Sequence, residues 1–230
     1  MFNWLTGALA EEAGAAAEVE PGFFEKLGEQ FAQWGAAGWI TVIAIVLLAV
    51  VIALTAGTRQ KWSAKVLAYA ALSVALSFVL SYIKIFEMPQ GGSVTLASML
   101  PLMLFSATYG VGPGLLAGMV DGLLQYLQGG YFVHPIQFLL DYPLAFAMIG
   151  MAGLYKHFPK QWSKWSLYLA MVIAALCRAA VATLAGILYW DTAPWASLVY
   201  NGTYLVPDTL ICILLAIPVA PRVMALMKKG

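Results

Sequence analysis

The feature that most constrains this chain is a series of seven apolar runs, each close to the length needed to cross a lipid bilayer. A transmembrane helix needs about 20 mostly apolar residues. Of the 230 residues, 62% are hydrophobic and only 10% are charged. A soluble domain of this size could not cover so much apolar surface with polar groups. We assign the membrane spans to residues 37–57, 64–86, 94–109, 112–128, 135–155, 166–190 and 198–220.

The basic residues give these spans a common orientation. Cytoplasmic loops are enriched in lysine and arginine. Seven spans with an external N-terminus put every basic cluster in the cytoplasm, whereas six or eight spans would put one cluster outside. The sequence therefore predicts a multi-pass cell-membrane protein with a cytoplasmic C-terminus, in contact with lipid and not with nucleic acid. Nine of the 12 basic residues form the three clusters: Arg59, Lys61 and Lys65; Lys156, Lys160 and Lys164; Arg222, Lys228 and Lys229.

Small residues recur at helical spacing in two of the spans. Gly114, Gly118 and Gly122 form two overlapping small-xxx-small steps, which favour close packing between helices. In the second span, Ala71 and Ala75 continue a stripe of alanines. This stripe has two interpretations: ordinary packing within the bundle, or a smooth face on which another membrane protein docks.

Polar side chains inside membrane spans are costly, and each is a functional hypothesis. The predicted topology brings several of them toward the outer end of the bundle, together with Tyr131 and Trp190. A pocket with one carboxylate, aromatic rings and amides suits a small, flat ligand that is cationic or carries an amine. The intramembrane candidates are Asp121, Gln125, His134, Gln137, Asp141, Arg178, Asn201 and Asp208.

Several candidates also have a purely structural interpretation. Trp190 and Trp195 could belong to the aromatic belt at the membrane interface. His134, next to Pro135, could cap a helix. Asp208 could satisfy backbone groups freed by Pro207, or pair with Arg178.

Motifs for catalysis, cofactors and metals are missing from the sequence. It contains no G-x-x-x-x-G-K-[ST], H-E-x-x-H or G-x-S-x-G pattern and no Cys/His cluster. Cys177 and Cys212 lie inside apolar runs and are most simply small hydrophobic residues. We therefore expect neither an enzyme nor a bound cofactor or metal.

Four segments carry a resemblance to a known family: MPQGGSVTL (88–96), YGVGPGLLAGMVDGLLQYL (109–127), HPIQFLLDYPLAFAMIG (134–150) and SLVYNGTYLVPD (197–208). Over about residues 64–220, the chain resembles the thiamine-specific S component, the substrate-binding subunit of energy-coupling factor (ECF) transporters. The resemblance implies an all-α, polytopic membrane helix bundle. Its six-helix substrate-binding domain would occupy residues 63–230. Residues 37–62 would be an additional transmembrane helix and linker, and residues 1–36 an amphipathic or partly disordered extension.

The resemblance also implies a function and a set of partners. Such subunits capture the vitamin near the outer face and then dock on a coupling protein that carries two ATPase subunits. The stripe with Ala71 and Ala75 matches the family's AxxxA docking motif. The family's ligand-binding residues match Tyr131, Asp141, Tyr142, Gly186, Trp190 and Asn201.

Two positions depart from the family pattern. Ala182 stands where the family has a histidine, and Ala196 stands where it has a tyrosine; Trp195 could fill the second gap. A thiamine precursor or another small vitamin is therefore an alternative ligand. A third hypothesis is an ATP-independent channel or membrane enzyme that uses Asp121, Asp141 and Asp208.

Overall fold

The computed structural model describes residues 63–89, 91–159 and 165–228, which form a bundle of six helical segments and one short β-hairpin. The predicted extension over 1–36 and the additional span within 37–62 lie outside these described residues. The segments are α1 (Ala64–Ser81), α2 (Leu100–Tyr109), α3 (Val111–Tyr126), α4 (Pro135–His157), α5 (Ser166–Tyr189) and α6 (Pro194–Lys228).

Four of these segments, α1, α4, α5 and α6, are long and apolar enough to cross a membrane. The apolar helix α2 is shorter, with ten residues. Each of the six predicted core spans overlaps one helical segment, so the predicted all-α membrane bundle is confirmed. Helices α2, α3 and α5 pack on α4, and α6 packs on α5.

A β-hairpin occupies residues that the sequence assigned to the ends of two spans, which corrects both boundaries. The span predicted over 64–86 ends as a helix at Ser81, and strand β1 (Lys84–Glu87) pairs antiparallel with strand β2 (Ser93–Thr95). Residues 83–86 include β-branched and aromatic side chains, which favour a strand over a helix. Gly91, with φ of +96°, turns the chain between the strands.

Close contact between α3 and α4 explains the glycine spacing. A Cβ atom on Gly118 would meet the backbone oxygen of Phe146 and would lie 2.9 Å from the Cα of Ala147. A Cβ atom on Gly122 would likewise meet the backbone of Tyr142. These glycines therefore let the backbones of α3 and α4 touch, which confirms the predicted close packing.

Helix α4 is not a regular α-helix. It begins with an α-helical turn at Pro135–Leu139, continues as a π-helix at Leu140–Leu144 and ends as a 3-10 helix at Met148–His157. Pro143 lies inside the π-helical part and has no N–H group to donate, while the N–H of Ala145 donates to the carbonyl five residues back. Asp141 lies within this π-helical part.

Lysines gather at one end of the bundle. The side chain of Lys156, near the end of α4, lies beside Gly110, and the Tyr109 hydroxyl donates to the carbonyl of Met227, 2.9 Å away. Lys65 stands over the Tyr69 ring, which stacks on Tyr109. The starts of α1 and α3 and the ends of α4 and α6 therefore meet at this end, away from the β-hairpin.

Candidate ligand-binding site

A cavity of about 640 Å³ opens at the hairpin end of the bundle. This volume is typical of sites for small molecules. The walls come from the end of α1, the hairpin, α3, α4, α5 and the start of α6. Six of the seven predicted ligand-binding residues line this cavity: Tyr131, Asp141, Tyr142, Gly186, Trp190 and Asn201.

The carboxylate of Asp141 is held in place by two donors. The side-chain amide of Gln137 donates to Oδ2 over 2.7 Å, and the indole N–H of Trp190 donates to the same oxygen over 3.2 Å. Gln137 lies one turn before Asp141 on α4, whereas Trp190 follows the end of α5. Both hydrogen bonds use Oδ2, so a ligand that reaches Oδ1 can bind without breaking them.

The aromatic side of the cavity is built on the loop before α4. The backbone N–H of Tyr131 donates to the hydroxyl of Tyr142 over 2.8 Å, and the Tyr131 ring meets the Trp190 ring edge-on at 5.9 Å between centroids. Gln137 also donates to the carbonyl of Tyr131 and accepts from the N–H of Val133. One buried amide therefore orders both the carboxylate and the aromatic loop.

Helices α5 and α6 supply the opposite wall. A Cβ atom on Gly186 would meet the hydroxyl of Ser197, so a glycine is needed where the two helices touch. The Asn201 amide donates to the carbonyl of Ser197 over 2.9 Å, and the Tyr204 hydroxyl donates to the Asn201 amide oxygen over 2.7 Å. These contacts fix the Asn201 side chain, which is buried.

The structure adds cavity residues that the sequence reasoning left out of the site. Tyr200 and Tyr204 line the cavity from α6, four residues apart, and Arg178 lines it from α5 with its guanidinium 4.0 Å from the centre of the Phe146 ring. Gln125 also lines the cavity, and Gln137 holds the Asp141 carboxylate from outside the lining. Arg178, Gln125 and Gln137 were all visible as intramembrane polar residues. The two tyrosines carried no comparable signal, because tyrosines near span ends are common in interfacial belts.

One predicted ligand-binding residue is not part of this group. The Trp195 side chain is 74% exposed and does not line the cavity. Ala182 and Ala196 both line it. The structure therefore does not bring Trp195 to the gap left by Ala196.

The remaining candidates have structural partners. His134 caps α4 by accepting from the N–H of Ile136 over 3.2 Å, as one interpretation predicted. Asp121 accepts from the hydroxyl of Ser77, and Asp208 accepts from the backbone and hydroxyl of Thr95. Among the described residues, Asp208 makes hydrogen bonds to Thr95 and no salt bridge to Arg178, and neither aspartate lines the cavity. Within the described part of the chain, no group of three His, Cys, Asp or Glu side chains could hold a metal ion.

Comparisons with known proteins agree with this architecture. The profile of the family described as thiamine transporter protein (Thia_YuaJ) matches residues 67–228. The thiamine transporter ThiT of Bacillus subtilis is 37% identical over 157 residues, which cover 60% of this chain and 81% of that protein. ThiT of Lacticaseibacillus paracasei is 27% identical over 146 residues, covering 54% of this chain and 73% of that one.

A solved structure shares the fold. ThiT from Listeria monocytogenes superposes with a TM-score of 0.52 at 23% sequence identity, over 72% of this chain and 94% of that one. The family match covers the six helical segments, apart from the first three residues of α1, and the cavity residues between them. The chain is therefore a multi-pass membrane protein, not an enzyme, and it belongs to the thiamine transporter protein family.

Proposed function

We propose that this chain is the substrate-capture subunit of an ECF-type vitamin transporter and that its ligand is thiamine. The observation that carries the proposal is the cavity in which the ordered Asp141 carboxylate lies beside the rings of Trp190 and Tyr131. Thiamine combines an aminopyrimidine ring with a positively charged thiazolium ring. The cavity therefore offers a partner for each part of this ligand.

Each cavity residue has a distinct role in this proposal. The amino group of the pyrimidine donates to Asp141, and a hydrogen bond to a charged carboxylate is stronger than one between neutral groups. The thiazolium ring stacks on Trp190, where the cation is attracted by the aromatic face. Tyr142 and Asn201 orient the pyrimidine, and Gly186 keeps α5 and α6 close enough for these groups to converge.

The orientation of the cavity follows from the charges at the opposite end. Lys65, Lys156 and Lys228 belong to the end of the bundle away from the hairpin. Basic residues favour the cytoplasmic side. The cavity then opens outward, the C-terminus is cytoplasmic, and the N-terminus that precedes the additional span is outside.

In this proposal, partner subunits hydrolyse ATP to drive release inward, and the sequence itself has no P-loop. Helix α1 offers a surface for a coupling protein that carries two ATPase subunits. Its alanine stripe consists of small side chains that are exposed in the structure and would allow a second helix to approach closely. The stripe contains Ala64, Ala68, Ala71 and Ala75.

A second candidate keeps the fold and changes the ligand. Ala182 and Ala196 line the cavity with methyl groups, so two polar contacts of the family are missing. A precursor that contains only the pyrimidine or only the thiazole part would lose less binding free energy than intact thiamine when these two polar contacts are missing.

Isothermal titration calorimetry of the purified chain distinguishes the two candidates. The ligands are thiamine, its aminopyrimidine alcohol and its hydroxyethylthiazole. We expect thiamine to bind most tightly, because it alone engages both Asp141 and Trp190. Tighter binding of either fragment would favour the second candidate, and no heat with thiamine at micromolar concentration would refute the thiamine assignment.

A further inference from the structure

The wall of the cavity that faces α6 is not a helix but the turn of the β-hairpin. Gly91, Gly92 and Ser93 line the cavity, and Lys84 and Glu87 line it from the other strand. All four residues of β1 are exposed, whereas β2 is largely buried. The hairpin is therefore held through β2, and its position depends on what β2 touches.

Strand β2 contacts a buried carboxylate on α6. Asp208 is 3% exposed, and its Oδ1 accepts from both the backbone N–H and the hydroxyl of Thr95, each at 2.8 Å. The Thr95 hydroxyl also lies 2.7 Å from the hydroxyl of Ser98 and accepts from the Ser98 N–H. A buried carboxylate needs such partners, because leaving it unpaired costs several kcal/mol.

Two tyrosines on the same face of α6 extend this contact to the turn. The N–H of Gly92 donates to the hydroxyl of Tyr200 over 3.3 Å, and a Cβ atom on Gly92 would lie 2.6 Å from the Tyr204 ring. Tyr200, Tyr204 and Asp208 are spaced four residues apart, so they lie one above the other along the helix. The Tyr204 hydroxyl donates to Asn201, which links this face to the ligand-binding amide.

We propose that the Asp208–Thr95 contact is a positioning device that holds residues 91–93 as a wall of the cavity and thereby slows the escape of the bound ligand. Asp208 does not line the cavity and acts through Thr95. The proposal extends the proposed function, since it assumes that the cavity binds thiamine. It gives a role to a carboxylate that the binding site itself does not use.

Ligand release from purified full-length variants tests the proposal. Thr95→Val removes the hydroxyl but keeps the backbone N–H and the shape, and Thr95→Ser keeps the hydroxyl. Thr209→Val is a matched control, because the buried Thr209 hydroxyl donates to the Leu205 carbonyl of its own helix. From the loss of a hydrogen bond to a charged group, we expect thiamine to dissociate about tenfold faster from Thr95→Val. Thr95→Ser and Thr209→Val should match the wild-type protein.

Hydrogen exchange of the ligand-free chain provides a readout that does not depend on thiamine. In Thr95→Val, the amides of residues 91–98 should exchange about tenfold faster than in the wild-type chain or either control. Unchanged amide exchange in Thr95→Val would overturn the proposal. If the wild-type protein binds thiamine, an unchanged rate of thiamine release from Thr95→Val would overturn it as well. If the wild-type chain binds no thiamine, the proposed function fails, and the exchange of residues 91–98 alone decides whether Asp208 positions the wall.

Discussion

Helices α1 and α4 are both long enough to cross the membrane, yet they are built in opposite ways. Helix α1 is a regular α-helix in which 28% of the residues are buried. Helix α4 is half buried and passes through π and 3-10 geometry. The regular helix presents a smooth alanine stripe, and the irregular one carries the carboxylate of the cavity. In the proposed function, the irregular helix α4 supplies the carboxylate that binds the ligand, and the regular helix α1 supplies the surface for the coupling protein.

The largest effect should come from the carboxylate on α4. Asp141→Asn keeps the shape of the side chain and removes its charge, so we expect thiamine to bind about 100-fold more weakly, which corresponds to ~3 kcal/mol. Calorimetric titration measures the change. Asp191→Asn is the control, because Asp191 is exposed and lies outside the cavity lining. Binding by Asp141→Asn within about twofold of the wild-type value would remove Asp141 from the site.

The next prediction tests whether α4 owes its position to the glycines of α3. Gly118→Ala places a methyl group against the backbone of Phe146 and Ala147, and such overpacking costs about 1–3 kcal/mol of unfolding free energy. The midpoint of thermal unfolding in detergent should fall. Gly202→Ala on α6 is matched to it, since a Cβ atom there meets nothing within 4 Å. That control should be neutral or slightly stabilising, because alanine favours helix. Equal midpoints for the two variants would contradict the close contact.

A third prediction addresses the smooth face of α1. The double variant Ala71→Leu and Ala75→Leu keeps helix propensity and adds bulk to an exposed stripe. We expect ATP-driven thiamine uptake in proteoliposomes with the partner subunits to fall about tenfold, because small residues are what let helices pack closely in membranes. The dissociation constant for thiamine should stay unchanged.

Ala180→Leu makes the same change at an exposed position of α5 and should leave uptake intact. A double variant on α1 that transports normally would show that this stripe is not the docking surface. A double variant that loses thiamine binding would contradict the assignment of docking to α1 and ligand binding to α4.

The smallest effect is expected at Trp190. Trp190→Phe keeps an aromatic ring for stacking but removes the N–H that donates to Asp141. One net hydrogen bond is worth ~1 kcal/mol, so thiamine should bind about fivefold more weakly. Trp195→Phe should bind normally, since Trp195 is outside the cavity. If both variants bind alike, the indole does not order the carboxylate.

The helical fold was largely readable from the sequence because the bilayer sets the length of apolar runs. The hairpin was not, since Ile83, Ile85 and Phe86 are as hydrophobic as the helix before them. Hydropathy alone cannot distinguish a short apolar strand from the end of a span. The π-helical turn was also missed, although Pro143 two residues after Asp141 was a visible signal for it.

The site was predicted in part, and the reason differs from residue to residue. Asp141 and Asn201 were conspicuous as polar side chains among apolar neighbours, while Gly186 followed only from the family resemblance. Tyr200 escaped notice because its contact with Gly92 joins positions 108 residues apart. Such long-range partners depend on tertiary packing, which no local pattern encodes.

The brevity of α2 has a consequence for how the bundle meets the bilayer. Ten residues at 1.5 Å each make a helix of about 15 Å, roughly half of the ~30 Å hydrocarbon thickness. Strand β2 and the residues that lead from it to α2 are largely buried in the protein, which shields their backbone from lipid where they lie within the hydrocarbon thickness. A half-length helix therefore leaves room inside the protein for non-helical chain, and the hairpin turn beside the cavity lies at the edge of this non-helical region.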